Sequence, residues 1–208
     1  MKYYFYVIVS LFFCSLNAGS YAPKNYDYLI QSMPKFDQAL LQVHFKLYQG
    51  YVAQVNQLDQ MLQADTEKSF TYQAIKRRYG WEYDGMVLHE LYFDNLGGDG
   101  KLDPASPLYQ KIVRQFGSYE NWLKDFQATA LVRGVGWVIL YLNPKTGTLY
   151  NAWVTEHDTG PLFCDVPLLV VDLWEHAYLC QFKLDRPAYI STVFDYINWP
   201  VVSQRLAQ

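Results

Sequence analysis

Apolar residues recur at two different periods in this chain, and the change between them limits the fold more than any other feature. Phe36, Leu40, Leu41, His44, Leu47, Tyr48, Tyr51, Val55, Leu58 and Leu62 fall mostly three and four apart, a spacing that lines one face of an α-helix. It predicts one long helix from Pro34 to about Asp65. Phe70 to Tyr79 reads as a short helix or turn. Glu82 to Leu96 reads as a second main helix, carrying Met86, His89 and Phe93 on related turns and stopped by Gly97-Gly98. Pro107 to Phe116 and Ser118 to Leu131 read as two further helices, with Ser118 as an N-cap. Beyond Gly136 the pattern becomes that of strands. Gly136 to Leu142 and Thr148 to Val154 are rich in β-branched and aromatic residues, and Asn143-Pro-Lys-Thr-Gly147 between them is a turn sequence, so a hairpin is expected. Pro167 to Asp172 is a third strand, apolar up to its last residue, which places it in the middle of a sheet. A late helix spans Pro187 to about Ile197. Helices first and a short sheet later predict an α+β fold: an N-terminal helical hairpin, then a C-terminal domain with a three-stranded antiparallel sheet flanked by helices.

The 208 residues suffice for one good-sized domain or two small ones. Residues 1–20 differ in character from the rest. Met1-Lys2 precedes an uncharged run from Tyr3 to Leu16, then Asn17-Ala18-Gly19-Ser20, the three parts of a secretory signal peptide. The run is shorter than the roughly 20 residues that cross a bilayer. The expected organisation is therefore a signal peptide at 1–20, a helical-hairpin domain at 21–103 and a C-terminal domain at 104–208, in an exported protein that is periplasmic or secreted and has no membrane attachment once cleaved. The mature chain keeps Cys164 and Cys180, for which a single bridge and two buried free thiols are both open. A net charge of −3 without a Lys/Arg run excludes a nucleic-acid footprint. Asp94 to Asp103 lacks the glutamate that would close a calcium loop, so it is a polar turn. Nineteen tyrosines predict internal hydroxyl networks in the core.

Chemistry concentrates on the four histidines, His44, His89, His157 and His176. A single buried histidine is more often a satisfied core residue than a ligand, so the company each keeps decides. Asp172 ends an apolar strand, where a carboxylate is costly unless paired or coordinated. His176 follows four residues later and can turn back to the same point. His44 and His89 sit on the two long helices, whose antiparallel packing would bring the rings together. Imidazoles with one carboxylate suit iron, manganese or zinc.

Asp172-Leu-Trp-Glu-His-Ala-Tyr178 resembles the Asp-x-Trp-Glu-His-Ala-Tyr signature of the iron/manganese superoxide dismutases. Gly134-Val-Gly-Trp137, Phe116-Gly-Ser118, His89-Glu-Leu-Tyr-Phe93, Arg186-Pro-Ala-Tyr189 and Asn198-Trp199 are similar to further segments of that family, in the family's order, from about residue 40 to 205. The resemblance implies a superoxide dismutase with one iron or manganese ion per subunit, held by His44, His89, Asp172 and His176. It implies Tyr51 as the gateway tyrosine of the substrate funnel, His157 as the donor toward metal-bound solvent, and Trp137 and Trp174 as pocket walls. Glu175 resembles the glutamate that crosses a dimer interface to a ligand histidine of the partner, which implies a homodimer or a tetramer of such dimers. Superoxide is the implied small-molecule substrate.

Two departures from the family pattern bear on the site. His44 precedes Tyr51 by seven residues, where most members have eight; a helix lacking the usual π-bulge would keep both on one face. The rival alignment puts Val43 at the ligand position. The family's extra histidine on the first long helix is replaced by Leu47 or Tyr48. A family-fold binding protein with an altered, inactive metal site is the competing expectation. A two-histidine, one-carboxylate oxygenase would have no use for the aromatic context of His176.

Overall fold

The computed structural model describes residues 20–160, 162 and 164–207. The expected signal peptide lies outside the described residues apart from Ser20. A short helix α1 (Tyr28–Ser32) leads to α2 (Gln38–Ala64), which begins where the Asp37 side chain accepts from Ala39 N at 2.8 Å, so Pro34 lies ahead of it. Helix α3 (Phe70–Asp94) starts at the Ser69 cap. The expected break between Tyr79 and Glu82 is absent: one continuous helix spans both segments and runs through Gly80. A mid-helix glycine costs about 1 kcal/mol against alanine, less than the packing of a whole helix against α2 supplies. The helix ends at the Asn95 cap, two residues before Gly97 (φ +82°). The two long helices run antiparallel, as the His44–His89 and Tyr51–Gly85 contacts show. Tyr26, Phe45, Tyr48 and Phe93 pack between them.

Helices α4 (Pro107–Phe116) and α5 (Tyr119–Ala130), capped by the Ser106 and Ser118 side chains, precede the sheet. Strands β1 (Trp137–Asn143), β2 (Thr148–Val154) and β3 (Val166–Asp172) pair antiparallel in the order β2-β1-β3. The fold is α+β as expected, but β3 is an edge strand and β1 is the centre. An edge this apolar is tolerable because it is covered. In an antiparallel pair alternate backbone groups face away from the neighbour. On β3 three such carbonyls meet side chains from elsewhere. Leu168 O accepts from Arg205 at 2.7 Å, Val170 O from Asn95 Nδ2 at 2.5 Å and Asp172 O from the Tyr189 hydroxyl at 2.8 Å. Arg205 also reaches Asn95 Oδ1 and Leu91 O, so one buried guanidinium ties the chain's end to α3 and the sheet.

After β3 come a 3₁₀ turn (Glu175–Ala177) and helices α6 (Leu179–Phe182), α7 (Arg186–Phe194) and α8 (Trp199–Gln204). Helix α7 stops at Phe194 rather than Ile197. Cys164 and Cys180 are both exposed and unbridged. Among the described residues no helix is long and apolar enough to cross a membrane.

Candidate metal centre

The register that pairs Trp137 with Asp172 puts the start of β1 and the end of β3 side by side, facing α2 and α3. Asp172 is 0% exposed. Its Oδ1 accepts from Trp174 N at 2.7 Å, and its backbone oxygen is held by Tyr189. The other carboxylate oxygen, Oδ2, is 3.1 Å from His44 Nε2, 3.1 Å from His176 Nε2 and 3.6 Å from His89 Nε2. One donor atom from each of the four residues lies within 4.8 Å of all the others. His89 Nδ1–H donates to Gly85 O at 2.6 Å, which leaves its Nε2 lone pair for the cluster. His44 is 2% exposed whereas Val43 is 59% exposed, so the helix turns His44 inward and Val43 to solvent. Helix α2 is regular through this stretch, and its seven-residue spacing puts His44 and Tyr51 on one face, both about 5 Å from the His89 ring.

Burial pulls the His44 and His89 rings below the usual imidazole range, His89 furthest, so both are neutral at pH 7. Burial pushes the Asp172 carboxyl up, but the surrounding His176 and His44 outweigh it and hold it well below the ordinary carboxylate range. No lysine or arginine pairs with Asp172 among the described residues. A buried anion without a fixed cation is costly. With three imidazoles around it, the site has the charge and donors for one iron or manganese ion. Ligand bonds of about 2.1 Å set donor atoms roughly 3–4 Å apart, close to the observed spacing.

A second layer surrounds these four. Trp137 Nε1–H donates to His157 Nδ1 at 3.2 Å, and its ring packs edge-on against His89. An indole nitrogen can only donate, so His157 Nδ1 is the acceptor and Nε2 carries the proton. That Nε2–H faces the Tyr51 hydroxyl at 2.9 Å. The donor of His157, expected to serve the metal's solvent, is thus directed at Tyr51. Burial holds His157 down to about 4 and pushes Tyr51 up to about 12, so His157 is neutral and Tyr51 protonated at pH 7. Trp174 stacks parallel to His176 and lies 4.9 Å from His157. Glu175 is exposed beside His176. Tyr48, replacing the family's extra histidine or flanking that position, points away from the cluster to Glu90 at 2.8 Å.

Sequence reasoning missed Trp81, whose ring lies 4.7 Å from His157 and 5.9 Å from Trp174. Its signal was the eight-residue spacing to His89, legible only if the helix is continuous. It also missed the buried Tyr92–Tyr189 pair, in which Tyr92 donates to the hydroxyl that holds Asp172 O.

Residues 104–205 match the family described as iron/manganese superoxide dismutases, C-terminal domain. The chain is 34% identical over 184 residues to a superoxide dismutase [Fe] of Aquifex aeolicus, covering 84% of this chain and 86% of that one. It is 30% identical to superoxide dismutase [Mn] 1 of Halobacterium salinarum, covering 89% and 94%. It is 31% identical to a superoxide dismutase [Mn/Fe] of Aeropyrum pernix, covering 89% and 88%. Relatives of this identity along most of both chains, joined to a converging three-histidine, one-aspartate cluster, show that the chain belongs to the iron/manganese superoxide dismutase family.

Proposed function

We propose that the protein is a superoxide dismutase holding one iron or manganese ion per subunit through His44, His89 and His176 Nε2 and Asp172 Oδ2. The observation that carries this is the convergence of four donors, from α2, α3, the end of β3 and the turn after it, around a buried carboxylate that no lysine or arginine among the described residues neutralises. A bound iron or manganese ion supplies the one-electron exchange by which superoxide becomes oxygen and hydrogen peroxide. The chain supplies position and protons. Asp172 is held from both sides, by Trp174 N and by Tyr189. Trp137 fixes the His157 tautomer, and His157 Nε2–H occupies the acceptor side of the Tyr51 hydroxyl. The Tyr51 proton then has no acceptor among the described residues and is available to substrate. Tyr51 and His157 are the catalytic pair in this scheme, and Trp137 and Trp174 wall the pocket. An inactive binding protein has less support, because the short His44–Tyr51 spacing that motivated it brings both residues to the site.

Export through a signal peptide at 1–20, to the periplasm or the exterior, belongs to the same proposal and is supported by the residue pattern of that segment. So does a homodimer or tetramer, supported by exposed Glu175 next to His176, whose Nδ1 has no partner among the described residues. The deciding experiment is metal quantification on protein from its natural host, paired with a superoxide assay. About one iron or manganese per chain with dismutation is the expected result. Metal-free, inactive protein that cannot be reconstituted would refute it.

A further inference from the structure

Arg78, Glu82, Gly85 and His89 stand four, three and four residues apart on α3, which sets them in one stripe along the helix. The stripe begins at the ligand cluster with His89. It passes Gly85, where the Tyr51 ring lies, and continues to buried Glu82 and then exposed Arg78. Glu82 is 5% exposed, and among the described residues its ion partner is Arg78. Arg78 Nε donates to Glu82 Oε1 at 2.7 Å, and NH2 stands 2.6 Å from the same oxygen. The guanidinium lies 5.3 Å over the Trp81 ring, which in turn packs against His157 and Trp174. Arg78 NH1 has no partner among the described residues. Both charges are felt inside: after burial and Asp172, Glu82 makes Tyr51 harder to ionise, and Arg78 opposes it.

We propose that Arg78 governs anion entry to this site, by neutralising the buried Glu82 carboxylate beside Tyr51 and presenting its free NH1 edge to incoming superoxide. The proposal rests on superoxide as the substrate. An ionised carboxylate in a low-dielectric pocket repels an approaching anion over its last ångströms. Arg78 removes that barrier, and the pair leaves a cationic edge outermost. Arg78 is a steering residue: it does not touch the donor atoms, and it acts on the field along the approach.

Wild type, Arg78→Gln, Arg78→Lys, Glu82→Gln and the Arg78→Gln/Glu82→Gln double variant, each metal-loaded, separate this from a packing role. Two quantities are measured: kcat/KM for superoxide, and affinity for azide, a small monoanion, by optical titration. Salt is raised from about 0.01 M to about 1 M, over which the Debye length shrinks from about 30 Å to about 3 Å. Arg78→Gln is expected to lower both quantities roughly three- to tenfold at low salt, with the gap narrowing at high salt as the exposed part of the field is screened and the part owed to buried Glu82 remaining. Arg78→Lys should stay near wild type, and adding Glu82→Gln to Arg78→Gln should restore most of the loss. A loss that salt does not change at all, or a double variant no better than Arg78→Gln, overturns the proposal and assigns Arg78 to packing on Trp81. If loaded wild type failed to consume superoxide, the substrate assignment would fall, while the azide titrations would still decide the role of Arg78.

Discussion

Two glycines in the long helices offer a matched test of how tightly Tyr51 is held. A Cβ added at Gly85 would stand 2.8 Å from both Cδ1 and Cε1 of Tyr51 and 3.3 Å from its Cγ. Carbon atoms rest at about 3.5–4.0 Å, so the ring must retreat by roughly 0.7–1.2 Å. It has little room to do so, since it lies about 5 Å from the rings of His89 and His157 and is bonded to His157 Nε2 at 2.9 Å. Such overpacking costs about 1–3 kcal/mol, and alanine's helix preference returns about 1 kcal/mol. Gly85→Ala is therefore expected to destabilise by about 0–2 kcal/mol. Gly50 sits in α2, and among the described residues nothing beyond its own stretch of helix backbone comes within 4 Å of its added Cβ, so Gly50→Ala is expected to stabilise by about 0.5–1 kcal/mol. Urea unfolding followed by tryptophan fluorescence measures both. In the same preparations, displacing Tyr51 should cut kcat roughly 10- to 100-fold while bound metal stays near wild type. If Gly85→Ala matched Gly50→Ala in stability and kept full turnover, the close fit of Tyr51 against α3 would be wrong, along with the proton role built on it.

Three further outcomes follow from the same contacts. Arg205→Met leaves Asn95 Oδ1 and Leu168 O without their donor and takes one of two donors from Leu91 O, which keeps the Asn95 backbone N–H; a loss of roughly 2–4 kcal/mol, seen as a melting temperature lower by roughly 5–15 °C, is expected. A shift under about 2 °C would mean the β3 edge does not need this clamp. Asp172→Ala should fold with wild-type circular dichroism yet retain little metal by mass spectrometry, and stoichiometric metal in it would remove Asp172 from the ligand set. His157→Ala should keep its metal but lose turnover, with His157→Gln retaining more because an amide can accept from Trp137 and donate to Tyr51; equal kinetics in all three proteins would remove His157 from proton handling.

The sequence by itself determined whatever depends on neighbours a few residues away. The three- and four-residue spacing around His44 specified a helix face, the Asn143–Gly147 turn specified the β1–β2 hairpin, and Ser118 specified a helix start. Asp172 and His176, four apart at a strand end, already pointed to a shared centre, and the surrounding Trp-Glu-His-Ala-Tyr run carried the family resemblance. Tertiary structure decided what depends on distant partners. Local pattern ended one segment at Tyr79 and began the next at Glu82, and packing against α2 carried α3 through both, which is why Trp81, in the gap, went unread as part of the site. An all-apolar β3 reads as central, yet Asn95, Tyr189 and Arg205, remote in the chain, satisfy its outer carbonyls and let it stand at the edge. The choice between Val43 and His44 likewise needed the facing helix: adjacent residues differ by about 100° around a helix axis, and only the position of α3 and the sheet says which of those directions is inward.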